Sequence, residues 1–350
     1  MRHLLSASCA WLALGALALE AQSVRSDYRL VYASARQLAS QLDAKGRDGY
    51  ACTAVAQTDP GIGVPGVVVA LGRIVGGTHS PVENLAIVAG GGGTDLQAPL
   101  ERAGADGFRL CGLVLDEEPP TPVLVAVLTR ITAPVTMRYA VEVLTNYKSS
   151  LRRLNDAGRD GFVPVAAAQV NNNRVPDMRS WLVVSERSSD RAAPREIAVR
   201  SASGPERLQS ALNEQGALGF RVDLLWKEGQ DVVAMMSKAA GGDKEAHAYS
   251  VDVIGLDRIH SLPHLYLGDF SYLSGDDRMV VSDRDVSASN DVEESELPRL
   301  GGLGYADPSA AGLVGERLSR HHGFAPAALR VHRGPHNSFV LSTALTDSSK

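Results

Sequence analysis

The sequence predicts an α+β fold of tandem β-α-β-β repeats, about five units in either an open array or a ring-closed, propeller-like assembly. Three observations predict it: a recurring nine-residue motif, a near-constant spacing between its copies, and the same order of strand and helix around each copy. Self-similarity at a fixed period is the sequence signature of a repeat architecture. The composition is otherwise that of a globular protein, with 44% hydrophobic residues, 21% charged residues and a mean hydropathy of -0.06.

The motif reads L-x3-G-x2-G-[FY], and its copies are 58, 54 and 58 residues apart. The first glycines of the four copies are Gly46, Gly104, Gly158 and Gly216. A glycine after the last helical turn can adopt the left-handed conformation that closes a helix. We therefore expect a positive φ at Gly158. We also expect the aromatic residue that ends the motif, such as Phe162, to be a buried core anchor.

The flanks of each motif are repeated as well. A short apolar or alternating segment precedes it and predicts a strand: Tyr28 to Ala33, Asn84 to Ala89, Tyr139 to Leu144 and Glu196 to Arg200. Leucines three or four residues apart then predict a helix: Leu38 and Leu42, Leu96 and Leu100, Leu151 and Leu154, Leu208 and Leu212. Two β-rich runs separated by a turn follow the aromatic, which completes the β-α-β-β unit.

The spacing gives the boundaries of the units. We predict repeats at 24–76, 77–132, 133–190 and 191–240, an insertion or a decayed repeat at 241–308, and the second half of a fifth repeat at 309–347. The last unit retains Gly323 and Phe324 but lacks the first glycine. The segment LPRLGGLGY also matches the motif, but it carries Pro298 inside the expected helix and has no hairpin after it.

The unit resembles small bacterial domains of unknown function that have a Leu-rich helix, a Gly-x-x-Gly-aromatic corner and a β-hairpin, usually with Trp where this chain has Phe or Tyr. The likeness covers about 50 residues per unit. It implies an α+β module and no activity. Five such units would also suit a five-bladed α/β propeller, as in guanidine-modifying enzymes. Those enzymes use a C-terminal catalytic cysteine, and no cysteine follows Cys111 here.

The first residues predict a signal peptide at 1–22. Arg2 and His3 form a positive start, an apolar run covers Ala10 to Leu19, and Ala21 and Ser23 are small residues suited to cleavage. The apolar run is too short for a membrane-spanning helix. We predict an exported chain without a transmembrane segment in its mature part, periplasmic if the source is a Gram-negative bacterium and otherwise secreted.

Candidate chemistry is sparse. His332 and His336 are four residues apart and are the best candidates for a metal site, although a hairpin tip explains them equally well. The run AGGGGTD before the second helix lacks the remainder of a phosphate-binding motif, so we interpret it as a connection in which Thr94 or Asp95 caps the helix. The aspartates Asp48, Asp106 and Asp160 lie between the motif glycines, where tight turns favour aspartate. No motif for a nucleophile is present.

The cysteines Cys52 and Cys111 lie in equivalent strands, two and three residues after the corner aromatic. A one-residue offset turns side chains to opposite faces of a sheet. We therefore expect both to be buried and unbridged, although an oxidising compartment permits a disulfide.

These observations favour a non-catalytic binding or structural module of the cell envelope, without a cofactor. The partner would be a protein or another envelope component. Nucleic acid is excluded as a partner because the net charge is -5. The alternative is an exported hydrolase with a site at a repeat junction or in 241–308.

Overall fold

The protein is described from a computed structural model. It describes residues 26–57, 66–74, 80–117, 121–130, 135–144, 147–171, 179–190, 193–241 and 246–255, and then 265–271, 277–283, 291–297, 299–300, 305–306, 324–333 and 339–347. Side chains are described as far as Val251.

Four units each contain three strands and one helix. In chain order, their elements are β1 (Ser26–Ala33), α1 (Ala35–Arg47), β2 (Ala51–Gln57), β3 (Val67–Ile74), β4 (Asn84–Gly90), α2 (Gln97–Ala105), β5 (Phe108–Asp116), β6 (Val123–Arg130), β7 (Met137–Leu144), α3 (Tyr147–Arg159), β8 (Val163–Asn171), β9 (Arg179–Ser188), β10 (Arg195–Ala202), α4 (Pro205–Gly216), β11 (Arg221–Glu228) and β12 (Asp231–Ala239).

The remaining chain supplies further strands. They are β13 (Tyr249–Gly255), β14 (Leu265–Ser271), β15 (Asp277–Asp283), β16 (Asp291–Leu297), β17 (Arg299–Leu300), β18 (Tyr305–Ala306), β19 (Phe324–Arg333) and β20 (Phe339–Asp347). The segment 241–308 thus contains β13, β14 and β15 and also β16, the first strand of the next sheet. Where the sequence predicts about five units, the described residues form six three-stranded sheets.

All six three-stranded sheets have the same strand order. The first strand of the unit pairs with the third, and the third pairs with the second, as in β1-β3-β2. Every pair is antiparallel. The second strand of each unit is therefore one edge of its sheet, and the first strand is the other. The fold is α+β and built from repeated units.

Most of the predicted helix leucines lie in the core, and Leu151 is half-buried. Leu38, Leu42, Leu208 and Leu212 have no exposed surface, and Leu154 is 2% exposed. Each helix also contacts the first strand of the following unit: α1 lies on β4, α2 on β7, α3 on β10 and α4 on β13. Burial of apolar surface between consecutive units is what stabilises a repeat protein.

The first motif glycine does not have the conformation that the sequence predicts. Gly158 lies within α3, and the positive φ belongs to the second glycine, Gly161, at 84°. The first glycine is instead a point of close approach, because a Cβ on Gly158 would lie 2.7 Å from the carbonyl oxygen of Arg195 in the next unit. The prediction of a positive φ at Gly158 was therefore wrong. The small residue is needed for contact between units.

The corner aromatics are core residues, as predicted. Tyr50, Phe108, Phe162 and Phe220 are between 3% and 9% exposed. A cation from the third strand lies over each ring, at 4.5 to 5.4 Å from its centroid. These cations are Arg73, Arg130, Arg187 and Lys238.

Second strands of consecutive units lie side by side. β2 contacts β5, β5 contacts β8, β8 contacts β11 and β11 contacts β14, while β19 contacts β2. Each second strand carries a β-bulge three residues after its corner aromatic in the first four units, at Thr53, Cys111, Val165 and Asp223. In the described part of the chain, no helix is long and apolar enough to span a membrane.

Candidate binding cleft

The bulges of the first four units line a single cavity. It has a volume of about 610 Å³, and its walls come from the first residues of β2, β5, β8 and β11. Bulges re-aim side chains and occur next to functional sites. The cavity therefore lies where corresponding parts of consecutive units converge.

A disulfide joins the first two units at this cavity. Cys52 and Cys111 are bonded, with 6.1 Å between their Cα atoms, and both side chains are half-buried and line the cavity. The prediction of two unbridged cysteines was wrong for a physical reason. The bulges interrupt the regular alternation at Thr53 and at Cys111, so the offset of one residue no longer sends the side chains to opposite faces.

An ion pair forms another part of the wall. Arg109 donates from Nε and Nη2 to Oε1 of Glu186, each at 3.0 Å. The Glu186 side chain is 8% exposed, whereas the Arg109 side chain is 59% exposed. The second oxygen of Glu186, Oε2, is buried without a hydrogen-bond partner among the described residues. Burial raises the pKa of Glu186, and the nearby Arg109 opposes that rise.

A second carboxyl group lies at the bulge of unit four. Burial raises the pKa of Asp223 to about 6, opposed by a hydrogen bond from Ser237 and by the charges of Arg195 and Arg221. Arg195 donates from Nε to Oγ of the same Ser237 at 3.1 Å. Oδ2 of Asp223 is buried and has no hydrogen-bond partner in the part of the chain that the structure describes. The cavity thus contains two carboxyl groups, each with one unused oxygen.

Polar side chains from the following unit hold the bulged strands in place. The Tyr139 hydroxyl donates to the Phe108 carbonyl at 2.9 Å and accepts from the Leu110 amide at 2.8 Å. Tyr249 makes the same two bonds, at 3.0 and 3.2 Å, to Phe220 and Val222. Between units one and two an amide does the same work. Asn84 donates to the Tyr50 carbonyl at 2.8 Å and accepts from the Cys52 amide at 3.1 Å.

The junction of units three and four lacks this pair of hydrogen bonds. The residue equivalent to Leu110 is Pro164, which has no amide hydrogen, and the residue equivalent to Tyr139 is Ile197, which has no hydroxyl. The backbone amide and the hydroxyl group that would accept its hydrogen bond are therefore both absent. The junction leaves no buried amide unsatisfied at that point.

A second cavity extends the first. It has a volume of about 690 Å³ and shares Arg109, Val163, Val165, Glu186 and Arg195 with the first. Most of its remaining walls come from the junction of units two and three, including Arg130, Met137 and Asp190. Because five lining residues are common to both, we treat the two cavities as one structure, the central cleft. Among the described residues, no aromatic side chain lines it.

None of the residues predicted from sequence as candidate sites is among the described residues that line the cleft. His332 is in β19, beyond the part of the chain with described side chains, and His336 lies outside the described residues. Within the described residues, no group of three or more His, Cys, Asp or Glu side chains is arranged to hold a metal ion. Asp48, Asp106 and Asp160 are exposed at the helix ends, outside the cleft. Residues 1–22, predicted as a signal peptide, are not among the described residues.

The glycine-rich run before α2 is a strand-to-helix connection. Asp95 accepts a hydrogen bond from the Gly90 amide at 3.1 Å, and no side chain caps the helix, whose N-cap residue is Leu96. The prediction that Thr94 or Asp95 caps α2 was therefore wrong.

The charged residues of the cleft were missed because they do not recur in every unit. Arg109 and Arg221 directly follow the corner aromatic, where units one and three have Ala51 and Val163. One signal in the sequence points nearby. Arg73, Arg130 and Arg187 are 57 residues apart, and the residues before them are Gly72, Thr129 and Glu186. A position that varies next to a repeated cation is typical of a functional surface on a repeated scaffold.

Comparisons with known proteins give no match: no family model fits the chain, and no curated protein or solved structure is similar to it.

Proposed function

We propose that the protein is an exported, non-catalytic binding module of the cell envelope and that the central cleft is its binding site. The observation that carries the proposal is the convergence of Arg109, Arg195 and Arg221 with two incompletely bonded carboxyl groups in one cavity. Buried polar groups without partners are costly, and a ligand that bonds them recovers that cost. Pockets with a few convergent polar groups are the usual form of a small-ligand site.

The proposal includes a closed ring of six units, of which the open array is the alternative. Tyr28 has the position in unit one that Tyr139 has in unit three and Tyr249 in unit five. Tyr28 is 2% exposed, as buried as Tyr139, which a neighbouring unit packed on β1 would explain. The contact of β19 with β2 also supports closure, because it joins the last unit to the first.

Export is tested at the N-terminus of the protein. Expression of the full chain in a Gram-negative host should give a periplasmic protein whose first residue is close to Ser23, the end of the predicted signal peptide. A chain retained in the cytoplasm with Met1 intact would refute this part of the proposal.

Binding is tested by equilibrium dialysis of the native chain and of Arg109→Ala against a mixture of small organic anions and neutral polar molecules. We expect at least one compound to be retained by the native chain and lost from Arg109→Ala. Retention of nothing, or of the same compounds by both proteins, would contradict a binding site in the cleft. Arg207→Ala is the control, because Arg207 is exposed on α4 and is not part of the cleft lining.

One observation favours the second candidate, an exported hydrolase with its site at a repeat junction. Burial raises the pKa of both Glu186 and Asp223, which line the same cavity, and such carboxyl groups can serve as general acid and base. Turnover of chromogenic esters or glycosides by the native chain, abolished in Asp223→Asn, would favour the hydrolase. Absence of turnover together with retained binding favours the module.

A further inference from the structure

The ligand class follows from the charges of the central cleft and from its unused hydrogen-bond acceptor. This inference rests on the proposed function, since it requires that the cleft binds a ligand. Among the described residues, the lining of the cavity at the bulges contains three arginines, Arg109, Arg195 and Arg221, against two carboxyl groups, Glu186 and Asp223. Protonation of Asp223 would increase this positive excess further. The electrostatic field of the cleft therefore favours an anion.

The anion would be held by guanidinium groups that are within its reach. Arg109 uses Nε and Nη2 for a single oxygen of Glu186, and its side chain is 59% exposed. Arg109 and Arg195 line both cavities, so they lie where the two meet. Arginine presents a planar fork of donors that matches a carboxylate. The position and the exposure of Arg109 suit the binding of a second carboxylate beside Glu186.

A donor from the ligand would complete the hydrogen bonding of Glu186, which lines the cleft. Glu186 is 6% exposed, and its Oε2 has no hydrogen-bond partner among the described residues. An ammonium group would also donate a hydrogen bond to this oxygen, but the three arginines would repel its positive charge. A hydroxyl group donates without adding charge. The ligand would therefore carry hydroxyl groups close to its anionic group.

The described lining offers no aromatic ring for stacking. Val163, Pro164, Val165 and the disulfide belong to its apolar part, and no aromatic side chain is among the described residues that line the cleft. Neutral sugars are commonly held against aromatic faces, and the described part of the lining provides none. Charged groups and hydrogen bonds therefore provide the affinity of the cleft for its ligand. We propose that the central cleft binds a hydroxylated carboxylic acid of the sugar-acid class.

The test is isothermal titration at pH 7 with three probes: glucuronate, glucose, which lacks the carboxylate, and propionate, which lacks the hydroxyl groups. We expect the native chain to bind glucuronate, to bind propionate at least about tenfold more weakly, and to bind glucose not at all. A tenfold change corresponds to about 1.4 kcal/mol. Arg109→Ala and Glu186→Gln should each weaken glucuronate binding by about tenfold or more, because each removes one of the proposed contacts.

Matched controls separate contact from folding. Glu196→Gln removes a glutamate that pairs with Lys238 outside the cleft, and Arg207→Ala removes an exposed arginine. Both should bind glucuronate as the native chain does. Since the Arg109 side chain is mostly exposed, Arg109→Ala should remain folded even if Glu186→Gln does not.

The outcomes distinguish the ligand class from the site. Failure of the native chain to bind glucuronate would overturn the ligand class. Binding of glucose or propionate equal to or tighter than that of glucuronate, and lost in Arg109→Ala, would also overturn the class but retain the cleft as the binding site. Glucuronate binding unchanged in both Arg109→Ala and Glu186→Gln would place the ligand elsewhere and contradict the proposed function as well.

Discussion

The Tyr139 hydroxyl accepts a hydrogen bond from the Leu110 amide at 2.8 Å, although the two residues belong to different units. The hydroxyl also donates to the Phe108 carbonyl, and burial followed by the charge of Glu186 raises its pKa above its usual range. The same pair of bonds recurs at Tyr249. A side chain from one unit thus fixes the bulged strand of the unit before it.

Loss of this hydroxyl should destabilise the junction. Tyr139→Phe leaves the Leu110 amide and the Phe108 carbonyl buried without their partner, which costs about 1 to 3 kcal/mol. Tyr249→Phe should have a similar effect. The measurement is chemical denaturation. Ser40→Ala is the control, since it removes an exposed hydroxyl and should change the free energy of unfolding by less than about 0.5 kcal/mol. Equal stability of Tyr139→Phe and the native chain would contradict this role.

Substitutions at the two motif glycines should destabilise the protein for different reasons. A Cβ on Gly104 would lie 2.3 Å from the Met137 carbonyl oxygen of the next unit, so Gly104→Ala must push two units apart. Gly107 has a φ of 83°, and a Cβ there would make only an ordinary van der Waals contact of 3.5 Å with the Val135 carbonyl oxygen, so Gly107→Ala should cost only the left-handed conformation, about 1 to 2 kcal/mol. Thermal unfolding should rank Gly104→Ala as the less stable protein. The reverse order would refute the close-approach interpretation.

The disulfide should contribute measurably to stability. Cys52 and Cys111 enclose a long loop, with a sequence separation of 59. Replacing both with serine should lower the free energy of unfolding by about 2 to 5 kcal/mol. Intact mass under non-reducing conditions should be about 2 Da below that of the reduced mature chain. An exported protein with two free thiols would contradict the bond.

Protonation of Asp223 should make stability depend on pH. Its pKa is raised from 3.8 to about 6 in the folded protein, so the folded state binds more protons than the unfolded state between those values. Stability from this group is therefore fully present below pH 3.8 and is lost as pH rises towards 6. Asp223→Asn should remove this dependence. Parallel stability curves for the two proteins between pH 4 and 6 would contradict the shift.

Much of the scaffold can be predicted from the sequence because its elements repeat. The helix leucines and the corner aromatics recur at a fixed spacing, and most of them are buried where that spacing places them. The β-bulges have no comparable repeated pattern of residues in the sequence. The bulges at Thr53 and at Cys111 change which face of the sheet the two cysteine side chains occupy, so the argument from their one-residue offset fails. No residue pattern in the sequence indicates these bulges.

The cleft could not be predicted for a related reason. Its arginines stand at positions that differ between units, so a search for repetition passes over Arg109, Arg195 and Arg221. The contact made by Gly158 is also invisible in the sequence, because the neighbouring atom is a backbone carbonyl of the next unit. Contacts between backbone atoms carry no residue signature.

Closure of the ring is the central claim of the proposed architecture, because the last unit must then pack on the first, as the contact of β19 with β2 indicates. The most direct measurement is thermal unfolding of a chain that lacks residues 291–350, the strands of the sixth unit. A closed ring predicts that this deletion exposes β2 and Tyr28 and unfolds the whole protein or lowers its Tm sharply. Retention of a folded protein with the native Tm would show that the units form an open array and would contradict the account.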